Sequence, residues 1–179
     1  MRSIYLLFRR KEDERVVAEY FQSRDVFLNH KVGSIKRLVA FMRMQLLLRR
    51  YPCRYIPSSK SISPFTAPHG LHGVFISSGA SIGGGCTIFQ GVTIGSITTE
   101  GSSHQGAPTI GSNCVIGAGA KIIGGITVGD SCRIGANCVV CEDVPPNSTV
   151  VLEKARVITR TNRLSNTHSS WGHFGTKED

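Results

Sequence analysis

No run in this chain of 179 residues reaches the roughly 18 consecutive apolar positions that a membrane span needs. The apolar part of the opening MRSIYLLFRRKEDE is too short for a secretory leader. There is no C-x-x-C pair, so the six cysteines lack zinc-site spacing and no metal is expected. Aromatic residues are scarce, at 7%, and not interleaved with the basic ones. That removes the stacking platform of a nucleic-acid binder, and no nucleic-acid partner is expected. Carboxylates are also in short supply: 12 Asp and Glu stand against 21 Lys and Arg, for a net charge of +9. Between Glu19 and Glu100 only Asp25 is acidic. Such an excess predicts an anionic partner, either a lipid surface or a phosphorylated ligand. The composition reads as one domain with appendages, reduced and cytoplasmic.

What is present is a count of six. Ile76, Ile82, Ile88 and Ile94 are six apart, and after a break Ile110, Ile116, Ile122, Val128, Ile134 and Val140 resume the count. Four residues after nine of these ten comes a second small or medium apolar residue: Ala80, Cys86, Val92, Cys114, Ala120, Ile126, Cys132, Cys138 and Val144. A helix needs apolar spacing near 3.6, and a half-buried strand alternates by two. A strict six is the mark of a parallel β-helix, an all-β solenoid in which each hexapeptide makes a short strand and a turn. Glycine follows the aliphatic residue at Gly83, Gly95, Gly111, Gly117, Gly129 and Gly135, and is expected there to supply the backbone conformation of the turn. Cys86, Cys114, Cys132 and Cys138 share the inward phase and read as small buried hydrophobes, while Cys53 and Cys141 have no assigned role.

Three segments follow. Residues 1–52 form a short α-helical N-terminal arm, 53–158 the solenoid domain with a loop at 95–109, and 159–179 a flexible polar tail. In the arm, Ser34 is placed to cap a helix through IKRLVAFMRMQLLLRR, ended by Pro52. Its stripe of Ile35, Leu38, Val39, Met42, Leu46 and Leu47 suits packing on the solenoid or on a neighbouring subunit. With Arg37, Arg43, Arg49 and Arg50 it also suits a peripheral membrane contact on an anionic inner face. The arm is expected to tune assembly or attachment and to supply no catalytic group.

The stretches HGVFISSGASIGGGCTIFQGVTIG, PTIGSNCVIGAGAKIIGGITVGDSCRIGANCVV and DVPPNSTVV resemble hexapeptide-repeat acyltransferases, above all serine O-acetyltransferases and their short relatives from exopolysaccharide and capsule clusters. The resemblance covers about residues 56–158. It implies a left-handed parallel β-helix, a homotrimer with active sites between adjacent subunits, and acetyl transfer from acetyl-coenzyme A to a hydroxyl. It places a catalytic histidine just before the strand Gly73-Val74-Phe75-Ile76. Two histidines precede that strand, His69 and His72. The run Phe65-Thr66-Ala67-Pro68-His69-Gly70 matches the F-T-x-x-H-G pattern of the short relatives and favours His69, with His72 a rival. Gly95, Gly117, Ala118, Gly119 and Lys121 correspond to positions that meet the cosubstrate along the solenoid edge. Lys154 and Arg156 correspond to cations near its nucleotide end, where phosphate favours such side chains. Glu100 and His104 lie in the loop expected to carry the acceptor.

Two departures from the resemblance stand out. The aspartate that orients the histidine in serine acetyltransferases has no counterpart; its position falls near Tyr55. Their Arg-His pair ahead of the proline that restarts the repeats is replaced here by Gly106-Ala107. Free serine is therefore in doubt as acceptor, and a sugar or polysaccharide hydroxyl stands beside it. N-acetylation of an amino-sugar and a non-catalytic structural β-helix are the remaining alternatives. The chemistry fits histidine: a hydroxyl attacks a thioester poorly unless a base takes its proton, and an imidazole with a pKa near 6.5 can do so at neutral pH. A backbone carbonyl or Glu100 is the expected group to set its tautomer.

Overall fold

The computed structural model describes residues 2–162, with side chains from residue 11 onward. Two helices come first, α1 at Arg2–Asn29 and α2 at Ile35–Leu48. Eleven strands follow: β1 Phe75–Ile76, β2 Ser81–Ile82, β3 Thr87–Ile88, β4 Thr93–Gly95, β5 Thr109–Ile110 and β6 Val115–Ile116. The series continues with β7 Lys121–Ile123, β8 Thr127–Val128, β9 Arg133–Ile134, β10 Val139–Val140 and β11 Thr149–Val150. Every strand pair is parallel, and the strands sort by threes into the sides of a prism. Sheet I holds β1-β4-β7-β10, sheet II β2-β5-β8, and sheet III β3-β6-β9-β11. This is a left-handed parallel β-helix.

The six-residue count is the register of the core. Ile76 pairs with Ile94, Ile94 with Ile122 and Ile122 with Val140, so isoleucines stack along each side. All ten aliphatic positions and all nine secondary positions are buried. Each fully buried Ile or Val contributes roughly 1.5–3 kcal/mol of transfer free energy. The residue before each aliphatic faces out, because successive side chains of a strand alternate.

The glycines after the aliphatic residues work otherwise than expected. Positive φ belongs to other residues, eight of which stack in two columns: Gly73, Gly91, Gly119 and Asn137 at one corner, and Gly85, Asn113, Ser131 and Asn147 at another. Gly83, Gly111, Gly117, Gly129 and Gly135 are fixed instead by the close approach of the next coil. A Cβ on Gly83 would lie 2.7 Å from the Gly111 carbonyl carbon, and one on Gly117 2.6 Å from the Ala136 nitrogen.

The four inward cysteines are buried and unbonded, as the repeat predicts. Their thiols donate to carbonyls of the next coil, such as Cys86 Sγ to Gly111 O and Cys114 Sγ to Gly129 O, both at 3.2 Å. Burial pushes the Cys114 thiol up to about 11, so it stays protonated and inert.

The arm holds a helix that the sequence reading passed over. Val16, Val17, Tyr20, Phe21 and Arg24 of α1 are buried at helical spacing. Together they close the open first end of the prism. Phe21 packs edge-on against Phe65, Tyr20 Oη donates to Ile56 O, and the Arg24 guanidinium donates to Ile62 O. Solenoids need such an end cap, because their last coil has no neighbour to cover it.

In α2 the expected stripe is turned the wrong way for packing on the solenoid. Ala40, Met44 and Leu48 face inward and Leu47 packs half-buried against the core, whereas Ile35, Leu38, Val39, Met42 and Leu46 are exposed. Ser34 occupies the N-cap in extended conformation, but its side chain makes no cap bond. Beyond β11, residues 151–162 have no regular structure and are exposed. The rest of the expected tail, with Trp171, lies outside the described residues.

Candidate active site

Each coil turns three corners, and the chemistry falls on two of them. The corner between sheets III and I carries residues 67–74, 89–92, 117–120 and 135–138 in successive coils. The corner between sheets I and II carries the loop. Ile94 to Ile110 spans 16 residues where the count requires six, so ten extra residues leave the prism here.

At the III–I corner the chain must turn within a few residues, and the stacked glycines of the first column do so. Gly73 and Gly91 also pack backbone to backbone, since a Cβ on Gly73 would come within 3.3 Å of Gly91 Cα. His69 stands exposed on this corner. Its Nδ1 lies 2.8 Å from Oε1 of Gln90, one coil on, and its ring meets Phe89 edge-on with centroids 5.5 Å apart. An amide oxygen can only accept, so Nδ1 is the donor to Oε1, and in the neutral ring this leaves the lone pair on Nε2. That is the tautomer a general base needs. The partner is thus neither Glu100 nor a backbone carbonyl. Tyr55, where an orienting aspartate was sought, stacks on Phe75 on the outer face of sheet I.

His72 is held differently. It is half-buried, its ring packs edge-on against Tyr51 at 4.9 Å, and its carbonyl accepts from Gly91 N–H. Tyr51 is buried and donates to Asp13 Oδ1 at 2.8 Å. Burial, reinforced by this carboxylate, pushes its phenol above the usual range. His72 is therefore packed against the arm, while His69 faces solvent.

Gly117, Ala118 and Gly119 continue the corner along the prism as a half-buried strip without bulk. Lys121 lies beside them, and its ammonium donates to the carbonyls of Gly91 and Gly119 at 3.0 and 3.1 Å. It ties adjacent coils together next to Gln90. Gly95 sits on the other side of sheet I, where its carbonyl accepts from Gly124 N–H at the foot of the loop. Lys154 and Arg156 stand exposed in the irregular segment after β11.

The loop is seated rather than loose. Ile97 and Gly106 exchange two backbone bonds at its neck, and His104 O accepts from Gly125 N–H at 2.7 Å. Glu100 and His104 are exposed beyond that neck, and His104 has φ of 55°. Sheet I separates this corner from the His69 corner. One chain therefore does not bring His104 or Glu100 to His69. Gln90 was missed because its partner is 21 residues away. The signal was available: residues 18 apart share a corner, with the first coil a few residues longer.

The residues present suit a pantetheine thioester in one respect: the strip 117–119 leaves backbone approachable at the imidazole's own corner. Comparison with known proteins agrees in kind. The family described as bacterial transferase hexapeptide (six repeats) matches residues 107–142. A serine acetyltransferase of Helicobacter pylori is 48% identical over 93 residues, which cover 51% of this chain and 52% of that protein. One from Staphylococcus aureus is 40% identical over 124 residues, covering 68% of this chain and 56% of its own. The crystal structure of Neisseria gonorrhoeae serine acetyltransferase superposes with a TM-score of 0.58 at 27% identity, over 83% of this chain and 55% of that one. The chain spans about half the length of the curated relatives it matches. It is a hexapeptide-repeat protein whose solenoid resembles that of the serine acetyltransferases.

Proposed function

We propose that the protein transfers an acetyl group from acetyl-coenzyme A to a hydroxyl, with L-serine the first acceptor to test. The carrying observation is His69, exposed at a corner with its tautomer set by Gln90 and a strip of small residues beside it. Nε2 takes the proton of the acceptor hydroxyl as its oxygen attacks the thioester carbonyl. The tetrahedral adduct then collapses, the thiolate leaves, and the imidazolium returns the proton to it. The products are an O-acetyl ester and free coenzyme A. Backbone N–H groups of the corner are the groups proposed to hold the oxyanion. Gly117, Ala118, Gly119 and Lys121 border the proposed pantetheine track, Gly95 on the opposite edge of sheet I is proposed to meet it from the neighbouring subunit, and Lys154 and Arg156 are proposed for the phosphates.

We also propose a homotrimer through the solenoid, with each site completed by the loop of the neighbouring subunit. The separation of His69 from Glu100 and His104 by a whole sheet supports that reading, as does the tendency of flat prism faces to close cyclically. Six unpaired cysteines support a reducing, cytoplasmic setting. A second acceptor class, a sugar hydroxyl, is favoured by Gly106-Ala107, which leaves no cation at the loop neck to hold a carboxylate. Incubating acetyl-coenzyme A with L-serine, hexoses, amino-sugars and oligosaccharides, and reading free thiol, tests all of these. Release with none of them overturns the assignment.

A further inference from the structure

Helix α2 is apolar on two opposite sides, and only one is used. Ala40, Met44 and Leu48 are buried, on a helix that packs against α1. On the other side Ile35, Leu38, Val39, Met42 and Leu46 are 79%, 57%, 51%, 50% and 61% exposed. At 100° per residue these five fall within an arc of about 100°, a continuous stripe. Lys36, Arg43 and Arg50 follow one edge of that stripe, while Arg49 falls within it near the other edge, between Leu38 and Met42. No carboxylate occurs between Asp25 and Glu100, so nothing acidic in this helix offsets them. Arg43 and Arg50 reach back to Glu19 and Glu12 of α1, while Lys36 and Arg49 stand in solvent. A groove of about 450 Å³ runs beside the stripe, its lining including Val26, Ile35, Val39 and Ala40 together with Lys36 and Arg43.

We propose that this face docks on an anionic phospholipid surface and seats the protein peripherally on a membrane. An exposed apolar arc edged by cations is what an interfacial helix presents: the arc enters the acyl boundary and the cations meet the headgroups. Among the described residues no helix is long and apolar enough to cross a membrane, so the contact lies in the plane of the surface. The charge decides between lipid and a second copy of the same face. Two copies related by a two-fold axis would set Lys36 and Arg49 of one against those of the other, with no carboxylate of α2 to offset them. A lipid surface supplies the missing negative charge.

The test uses the full chain and sedimentation with vesicles of phosphatidylcholine alone or mixed equally with phosphatidylglycerol. The protein should pellet with the mixed vesicles, stay in solution with the neutral ones, and be released by added salt. Leu38→Glu with Met42→Glu should abolish pelleting without changing circular dichroism, because both side chains are already in water. Lys36→Gln with Arg49→Gln should weaken partitioning roughly 20–30-fold, the worth of two cations at an anionic surface. Absence of pelleting with the mixed vesicles overturns the proposal, and so does unchanged pelleting of the Leu38→Glu/Met42→Glu variant. If that variant instead lowers the particle mass by light scattering while the parent ignores vesicles, the face is a subunit contact and the proposal fails. Acetyl transfer in free solution is read separately and stands or falls without it.

Discussion

The corner between sheets III and I and the corner between sheets I and II are two edges of one side of the prism, yet they are built for different work. The first is tight: glycines stack at 73, 91 and 119, Lys121 ties two coils, and the exposed imidazole is held by a side chain from the next coil. The second has an insertion, seated through backbone bonds at its neck and presenting Glu100 and His104. A rigid edge can hold a base in one tautomer; an inserted loop can adapt to an acceptor. The difference teaches that one protomer keeps His69 and the loop with Glu100 and His104 on separate edges of sheet I, which is why the proposed site joins them across subunits.

The largest expected effect falls on the rigid corner. His69→Ala should lower turnover by roughly 10²–10⁴-fold while coenzyme A affinity is kept, as removal of a general base does. Steady-state thiol release and calorimetry separate the two. His72→Ala should lose less, because that ring packs against Tyr51 rather than facing solvent. If His72→Ala is the dead variant, the roles of the two histidines are reversed.

The next experiment joins the corners. His69→Ala and a variant lacking the loop tip should each be nearly inactive. Refolded together at equal amounts, they should recover activity at about a quarter of the sites, since an intact base and an intact loop then meet by chance across a cyclic interface. No recovery would mean that each protomer works alone, and the contrast between the corners would lose its meaning.

Two smaller effects sharpen the contrast. Gln90→Leu removes one hydrogen bond from the imidazole and should lower turnover about tenfold, with little change in KM for either substrate. Gln90→Glu should keep the tautomer. Its carboxylate favours the imidazolium, so the acid limb of the pH–rate profile should move to higher pH. At the loop corner, a Cβ on Gly125 would lie 2.6 Å from Gln105 O, so Gly125→Ala should unseat the loop. We expect a severalfold rise in acceptor KM, as for loss of about 1 kcal/mol of binding, with KM for acetyl-coenzyme A unmoved. Equal effects on both substrates would place the loop elsewhere.

Much of this was legible in the chain itself. The period of six gave the prism, the inward face and the buried cysteines, because a solenoid core is a one-dimensional pattern: residues 18 apart meet in coils without an insertion, as Ile110 does Val128, and the loop only lengthens that step, as from Ile94 to Ile122. His69 and His72 were legible as a pair, and the resemblance favoured the one that the structure leaves exposed. The phase of the glycines was legible but their reason was not. Gly83 and Gly117 are dictated by a neighbouring coil whose distance no single repeat states. The arm read least well. Helix α1 buries a stripe that begins among charged residues, and the apolar positions most prominent in α2 are the ones left in water.

The sequence by itself determined the repeat, its direction of burial and the residue types available for acid–base work, all of which follow from local spacing. Tertiary structure decided which of them touch. It set Gln90 beneath His69, turned Lys121 onto two carbonyls, used α1 as the end cap and put the loop on a different edge from His69. Those outcomes depend on how coils of unequal length stack and on which helix face wins the apolar end of the prism. Both are contests between distant parts of the chain, and a linear pattern does not record their result.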